Sequence, residues 1–232
     1  MVAIKRLEKF APKDFPGHLA ATIFLPGCSF RCPYCHNGDL IVRPETLADI
    51  PLDLFLAFLD LRKDWLEGVC VSGGEPLLEP EIEGLLAVIK ERGFLVKLDT
   101  NGSRPDRLEK LLAAGLVDRV ALDVKASIER YPEVVRAAVD VADIVRSVEI
   151  VRGAGPGHLF RTTVVPGLVG EDDIRKIGEW LDGAPLFQIQ SFTPIRTLDP
   201  AFQEIKPYGR DEIDRMVEAA RPHFGKVLVE GV

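Results

Sequence analysis

The chain has 232 residues, 47% of them hydrophobic, and a formal net charge of −7. A chain of this length forms one sizeable core and buries roughly 70% of its unfolded surface, so a single domain over 1–232 is expected, needing neither disulfides nor a metal merely to fold. The acidic balance argues against a nucleic-acid backbone as the main partner, and the absence of an apolar signal segment or a long apolar run predicts a cytoplasmic protein with no membrane partner.

Taken in chain order, short apolar runs predict strands near 19–24, 68–72, 94–99, 119–124, 158–165 and 186–190. Helical patterns fall near 51–65, 80–92, 105–114, 131–150, 171–182 and 211–221. Pro51 follows Asp49 and Ile50, Pro80 and Pro105 sit at first turns, and Gly93 and Gly115 follow the periodic stretches as C-terminal stops. Six strand–helix units of this kind read as an α/β protein with a parallel sheet. With six units rather than eight, an incomplete (βα)6 TIM-like open barrel is expected, and a doubly wound open sheet is the alternative.

Three of the four cysteines crowd into Cys28-Ser29-Phe30-Arg31-Cys32-Pro33-Tyr34-Cys35, while Cys70 stands alone in an apolar stretch and reads as a small buried residue. The thiols fall at i, i+4 and i+7, but Pro33 lacks the N–H a helix needs and Pro26-Gly27 is a turn signal, so the segment is expected to be a loop around a ligand. Three thiolates suit an iron–sulfur cluster with one open iron, or a Cys3His zinc site completed by His36 or a distant histidine.

Other strand ends carry polar residues. Ser72-Gly73-Gly74-Glu75-Pro76 offers two glycines that permit close backbone approach and a carboxylate that can accept from an ammonium group. Strand alternation puts Leu95, Lys97 and Asp99 on one face, Ala121, Asp123 and Lys125 on another, and Gln188 with Gln190 on a third. Inward polar groups at C-terminal strand ends are where barrels build sites, although Asp99, Asp123 and Lys125 can equally form a buried ion-pair cluster.

The cysteine segment resembles the Cys-x3-Cys-x-aromatic-Cys signature of the radical S-adenosylmethionine (SAM) superfamily, with Tyr34 at the aromatic place. The resemblance implies that Cys28, Cys32 and Cys35 hold a [4Fe-4S] cluster whose open iron binds SAM and that the region of Tyr34 contacts adenine, ordinary loop packing being the alternative for Tyr34; Asn37, following Cys35-His36, is a candidate for a hydrogen bond to the cofactor or its loop. Gly73-Gly74-Glu75 resembles the family's GGE motif, which implies contact with the methionyl amino group. Asp99-Thr100-Asn101-Gly102, Asp123-Val124-Lys125 and Arg161-Thr162-Thr163 resemble strand ends of glycyl-radical-enzyme activating proteins. There the resemblance implies cofactor contacts from Asp99, Asp123 and Lys125, with Asp99, Thr100 and Asp123 as candidate oxygen ligands of a monovalent cation, and Arg161 is a partner for a carboxylate either on the cofactor or within the protein.

The nearest form of the resemblance is to an activating protein of anaerobic ribonucleoside-triphosphate reductase. It implies reductive cleavage of SAM to a 5′-deoxyadenosyl radical that takes hydrogen from a glycine of that partner, with a one-electron donor such as flavodoxin or ferredoxin. A radical SAM enzyme acting on a small nucleoside or cofactor precursor is the alternative within the superfamily, and a zinc-binding interaction module is the alternative outside it. Cys70 alone cannot build the additional clusters that some activating proteins carry.

Overall fold

The computed structural model describes residues 2–231. The described residues divide into two compact units: 2–28, 39–100 and 104–120 form the first, and 29–38, 101–103 and 121–231 the second.

The first unit contains β1 (Arg6–Glu8), β2 (Ala20–Leu25), most of α1 (Gly38–Val42), α2 (Leu52–Asp60), β3 (Gly68–Gly73), α3 (Ile82–Glu91), β4 (Leu95–Thr100) and α4 (Pro105–Ala113). β1 lies antiparallel to β2, and β2, β3 and β4 follow in parallel order. Parallel strands covered on both faces read as apolar runs, and Ile23, Leu25, Val69, Val71, Val96 and Leu98 are fully buried. The helices supply the opposing apolar stripes, including Phe55 and Leu59 of α2 and Leu85, Leu86 and Ile89 of α3. Pro105 occupies the first turn of α4, and Gly93 and Gly115 end helices in the left-handed region, with φ of +86° and +66°.

The second unit begins within β5 (Arg119–Asp123) and continues through α5 (Tyr131–Val135), α6 (Val141–Gly153), β6 (Leu159–Val164), α7 (Glu171–Trp180), β7 (Ala184–Ser191), α8 (Arg210–Ala220) and β8 (Phe224–Glu230). β5 to β8 are parallel and adjacent in chain order. At the start of α7, the Asp173 carboxylate accepts from the Gly170 N–H at 3.1 Å and pairs with Arg130 at 2.7 Å. Three acidic residues in that first turn complement the helix dipole.

The six expected strands correspond to β2 through β7, each within a few residues. The single helix expected over 131–150 is two. Arg136 adopts a left-handed conformation (φ 46°) that ends α5, and the Asp140 side chain caps α6 by accepting from the Ala142 N–H at 3.0 Å. β1 and β8 were not expected: one is three residues long and charged at both ends, and the other buries only Phe224 of its residues. Among the described residues, no helix is long and apolar enough to cross a membrane.

Candidate functional site

In the first unit, the end of β2 is bound to the loop that follows β3. The Gly74 N–H donates to Leu25 O at 2.9 Å, and the Glu75 N–H donates to Gly27 O at 2.7 Å. Gly73 has φ +134°, and a Cβ there would lie 2.2 Å from Leu25 O. At Gly74 a Cβ would lie 1.9 Å from Gly27 O and 3.3 Å from Cys28 Cβ. The close approach these glycines permit within this unit is therefore of one backbone to another, which fixes the chain immediately before Cys28.

Glu75 is fully buried. Its Oε1 accepts from the Leu77 N–H at 3.0 Å, capping a short 3₁₀ turn, and from the Thr100 hydroxyl at 2.7 Å. On β4 the Lys97 ammonium is 2% exposed and pairs with Asp99 two residues along the strand. Cys70, opposite Lys97 in the β3–β4 register, donates its thiol to Asp99 Oδ1 at 3.6 Å, and Lys97 Nζ lies 3.8 Å from its sulfur. Cys70 is the buried residue expected, but it belongs to a polar cluster.

In the second unit, the cysteine segment is a tied loop, as Pro33 required. The Arg31 N–H donates to Val135 O at 2.8 Å, the Asp199 N–H donates to Pro33 O at 2.9 Å, and the His36 ring bonds Thr193 O at 2.6 Å. Ser29 bonds the Ser103 hydroxyl at 2.9 Å and takes a longer bond from Asn101 Nδ2. Cys32 is buried, Cys35 and Asn37 are half-buried, and the loop cysteines are not joined in disulfides. Tyr34 is buried, and its hydroxyl has no hydrogen-bond partner. Burial pushes that phenol well above its ordinary pKa, so it stays protonated and available as a donor.

Asp123 and Arg161 are register partners on β5 and β6. Arg161 Nε donates to Asp123 Oδ1 at 2.6 Å, and Lys125 Nζ donates to Oδ2 at 2.9 Å. Burial alone would raise the Asp123 carboxyl, but the two cations hold it well below the usual carboxylate range. Burial likewise opposes the Lys125 charge, and the Asp123 carboxylate more than compensates, keeping the ammonium charged. The turn is fixed by Tyr131, whose hydroxyl accepts from the Lys125 N–H at 3.1 Å and donates to Asp123 O at 3.3 Å.

The first unit thus gathers Gly73, Gly74 and Glu75 with Thr100, and places Asp99 with Lys97. In the second, Asp123, Lys125 and Arg161 meet, and Cys32, Tyr34, Cys35 and Asn37 share the loop. Sequence reasoning placed Lys97 on the face of Asp99 but missed its burial and its pairing there, and missed Asn101, Ser103 and Asp199 as anchors of the cysteine loop. Asn101-Gly102 is a turn signal that could have drawn attention to the first of these anchors.

Among the described residues, no three His, Cys, Asp or Glu side chains converge as a preformed metal cage. The segment fits an iron–sulfur cluster by its donor chemistry: three thiols outside any disulfide within eight residues of sequence, with the orphaned Tyr34 hydroxyl between Cys32 and Cys35 along the chain.

The family model described as the radical SAM superfamily matches residues 22–181. A protein of Methanocaldococcus jannaschii named "Putative glycyl-radical enzyme activating enzyme MJ1227" is 32% identical over 227 residues, covering 94% of this chain and 92% of that one. A pyruvate formate-lyase-activating enzyme from Clostridium pasteurianum is 29% identical over 239 residues, covering 99% and 98%. Among solved structures, Streptococcus suis SuiB bound to S-adenosylmethionine matches with a TM-score of 0.67 at 16% identity, covering 90% of this chain and 52% of that one. TYW1 with a lysine-pyruvate adduct matches with a TM-score of 0.63 at 16% identity, covering 87% and 72%. These likenesses show the fold, the α/β architecture of the TIM-like radical SAM enzymes that the six strand–helix units led us to expect. With more than half of its length matched, the chain belongs to the radical SAM superfamily, whose cofactors are a [4Fe-4S] cluster and SAM.

Proposed function

We propose that this chain is a cytoplasmic activating enzyme that generates a glycyl radical in a partner enzyme. The reading rests first on three cysteines within eight residues, none in a disulfide, and on the buried, unpartnered Tyr34 hydroxyl among them in sequence. Its likeness to relatives named as activating enzymes, over nearly the whole chain, supplies the substrate class.

Cys28, Cys32 and Cys35 would hold the cluster as thiolates. Tyr34 and Asn37 would serve the adenine side of the cofactor, Tyr34 using its free donor. Gly73, Gly74 and Glu75 would lie beside the methionyl amino group, with Glu75 held by Thr100 and the Leu77 N–H. Asp123, Lys125 and Arg161 together leave one negative charge facing two positive ones, which suits the cofactor's α-carboxylate. When bound, the reduced cluster and SAM supply a carbon-centred radical able to take a hydrogen atom from a glycine Cα.

The partner proposed is an anaerobic ribonucleoside-triphosphate reductase, served by a flavodoxin or ferredoxin as one-electron donor. Anaerobic electron paramagnetic resonance of the reconstituted, reduced protein tests the cofactor reading: a [4Fe-4S] signal that changes on adding SAM is expected. Incubation with the reductase, and separately with pyruvate formate-lyase, should produce a glycyl-radical doublet in the reductase. A doublet only in the lyase would reassign the partner, and none in either would refute the activating role.

A further inference from the structure

Resemblance implied a monovalent cation held by Asp99, Thr100 and Asp123, and the donor groups of this chain do not fit one. Asp99 is paired with the Lys97 ammonium, which is 2% exposed and cannot leave for solvent without opening the core. The same carboxylate oxygen accepts the Cys70 thiol at 3.6 Å. The Thr100 hydroxyl donates its proton to Glu75 and keeps its oxygen lone pairs, so the two carboxylates decide the fit. Asp123 has both oxygens engaged by cationic side chains, Arg161 on one and Lys125 on the other. An alkali ion joining either carboxylate would sit against a fixed positive charge already in place, which disfavours its binding.

We infer that Lys97 is a positioning residue that supplies from within the chain the positive charge at Asp99, and that this protein binds SAM without a monovalent cation. A buried lysine is strongly unfavourable unless its charge is compensated, so Lys97 and Asp99 hold one another in place. The cation becomes part of the fold, fixed by strand alternation two residues from the carboxylate it serves. This inference rests on the cofactor reading above and specifies how that same site is charged.

The test measures SAM affinity of the reconstituted protein, read from the change in the cluster's resonance signal, in potassium chloride, sodium chloride and tetramethylammonium chloride at equal ionic strength. Wild type should show dissociation constants agreeing within about twofold across the three salts, because the internal ammonium is always present. Lys97→Met, which keeps length and removes charge, should bind SAM about tenfold or more weakly in tetramethylammonium and recover in potassium or sodium, as the vacated charge is replaced from solution. A wild type that loses about tenfold affinity without alkali ions overturns the inference, and this arm needs no variant to fold. A Lys97→Met protein insensitive to salt, or weak in every salt, also overturns it by reducing Lys97 to a packing role. Failure of the wild type to assemble a cluster, or a signal indifferent to SAM in every salt, would instead sink the cofactor reading, and the inference with it.

Discussion

Replacing Gly74 with alanine probes the junction on which the cysteine loop depends. The added Cβ would lie 1.9 Å from Gly27 O and 2.6 Å from Gly27 C, both backbone atoms, where 3.0 Å is the practical limit. The Gly27 carbonyl must therefore recede by about an ångström. It also accepts the Glu75 N–H at 2.7 Å, so the shift strains that bond as well. Overpacking of this kind costs about 1–3 kcal/mol. In a chain of this size that lowers Tm by roughly 2–12 °C. Because Cys28 is the next residue, the same shift displaces a thiol, and iron incorporation on anaerobic reconstitution should fall. Gly84→Ala is the control: Gly84 is exposed inside α3, a Cβ there meets nothing within 4 Å, and alanine should stabilise by about 0.5–1 kcal/mol. Thermal unfolding of the apoprotein and iron analysis after reconstitution read both effects. A Gly74→Ala protein that melts with the wild type and takes up the same iron would refute the backbone contact.

Tyr34→Phe should leave the apoprotein as stable as the wild type or about 1 kcal/mol more stable, since it removes an unpartnered buried hydroxyl, while weakening SAM binding; thermal unfolding and the cofactor titration read the two in opposite directions. Cys32→Ala should abolish cofactor cleavage by removing a cluster ligand, and full cleavage in that variant would exclude the thiolate assignment. Asp123→Asn should destabilise by about 2 kcal/mol at neutral pH by leaving Arg161 and Lys125 unpaired, measured from urea midpoints. Because the folded Asp123 carboxyl is depressed, its stabilisation is complete above the ordinary value of 3.8 and is lost as pH falls below it, so the gap between wild type and variant should narrow towards pH ~2. A gap that stays constant on acidification would argue that Asp123 is not ionised in the fold.

Legibility in the sequence followed the range of each interaction. Strands β2 to β7 were readable because each is an apolar run closed by local turn chemistry, and Cys28, Cys32 and Cys35 because ligand spacing lies within eight residues. Alternation alone put Lys97 with Asp99 and Asp123 with Lys125 on shared faces, and these pairs form. Arg161 with Asp123 depends on the β5–β6 register, and Cys70 with Lys97 on the β3–β4 register, neither of which is written in any one strand. Local spacing also gave no measure of depth: the Lys97 ammonium is buried, whereas Lys125 retains partial access. At Gly73 and Gly74 the sequence marks close approach, and only the fold identifies the approaching groups as Leu25 and Gly27. The break at Arg136 was obscured because an arginine carries no local preference for the left-handed conformation it adopts there.

The two strand-end ion pairs use one device in opposite senses. In β4 the base precedes the acid, Lys97 then Asp99, so Lys97 lies deeper along the strand and its side chain is 2% exposed. In β5 the acid precedes the base, Asp123 then Lys125, and Lys125 follows the strand end with 16% of its side chain exposed. A cation committed to the core can act only on its own carboxylate, whereas one past the strand end can also meet a ligand. Neutralising each lysine should therefore separate two effects. Lys97→Met should cost stability as well as cofactor binding, because it leaves Asp99 in a low-dielectric site without its partner. Lys125→Met should chiefly weaken SAM binding, because Arg161 still neutralises Asp123 at 2.6 Å. Unfolding midpoints and SAM dissociation constants measured on both variants would distinguish these outcomes, and equal stability losses would show that residue order along the strand does not set the division of labour.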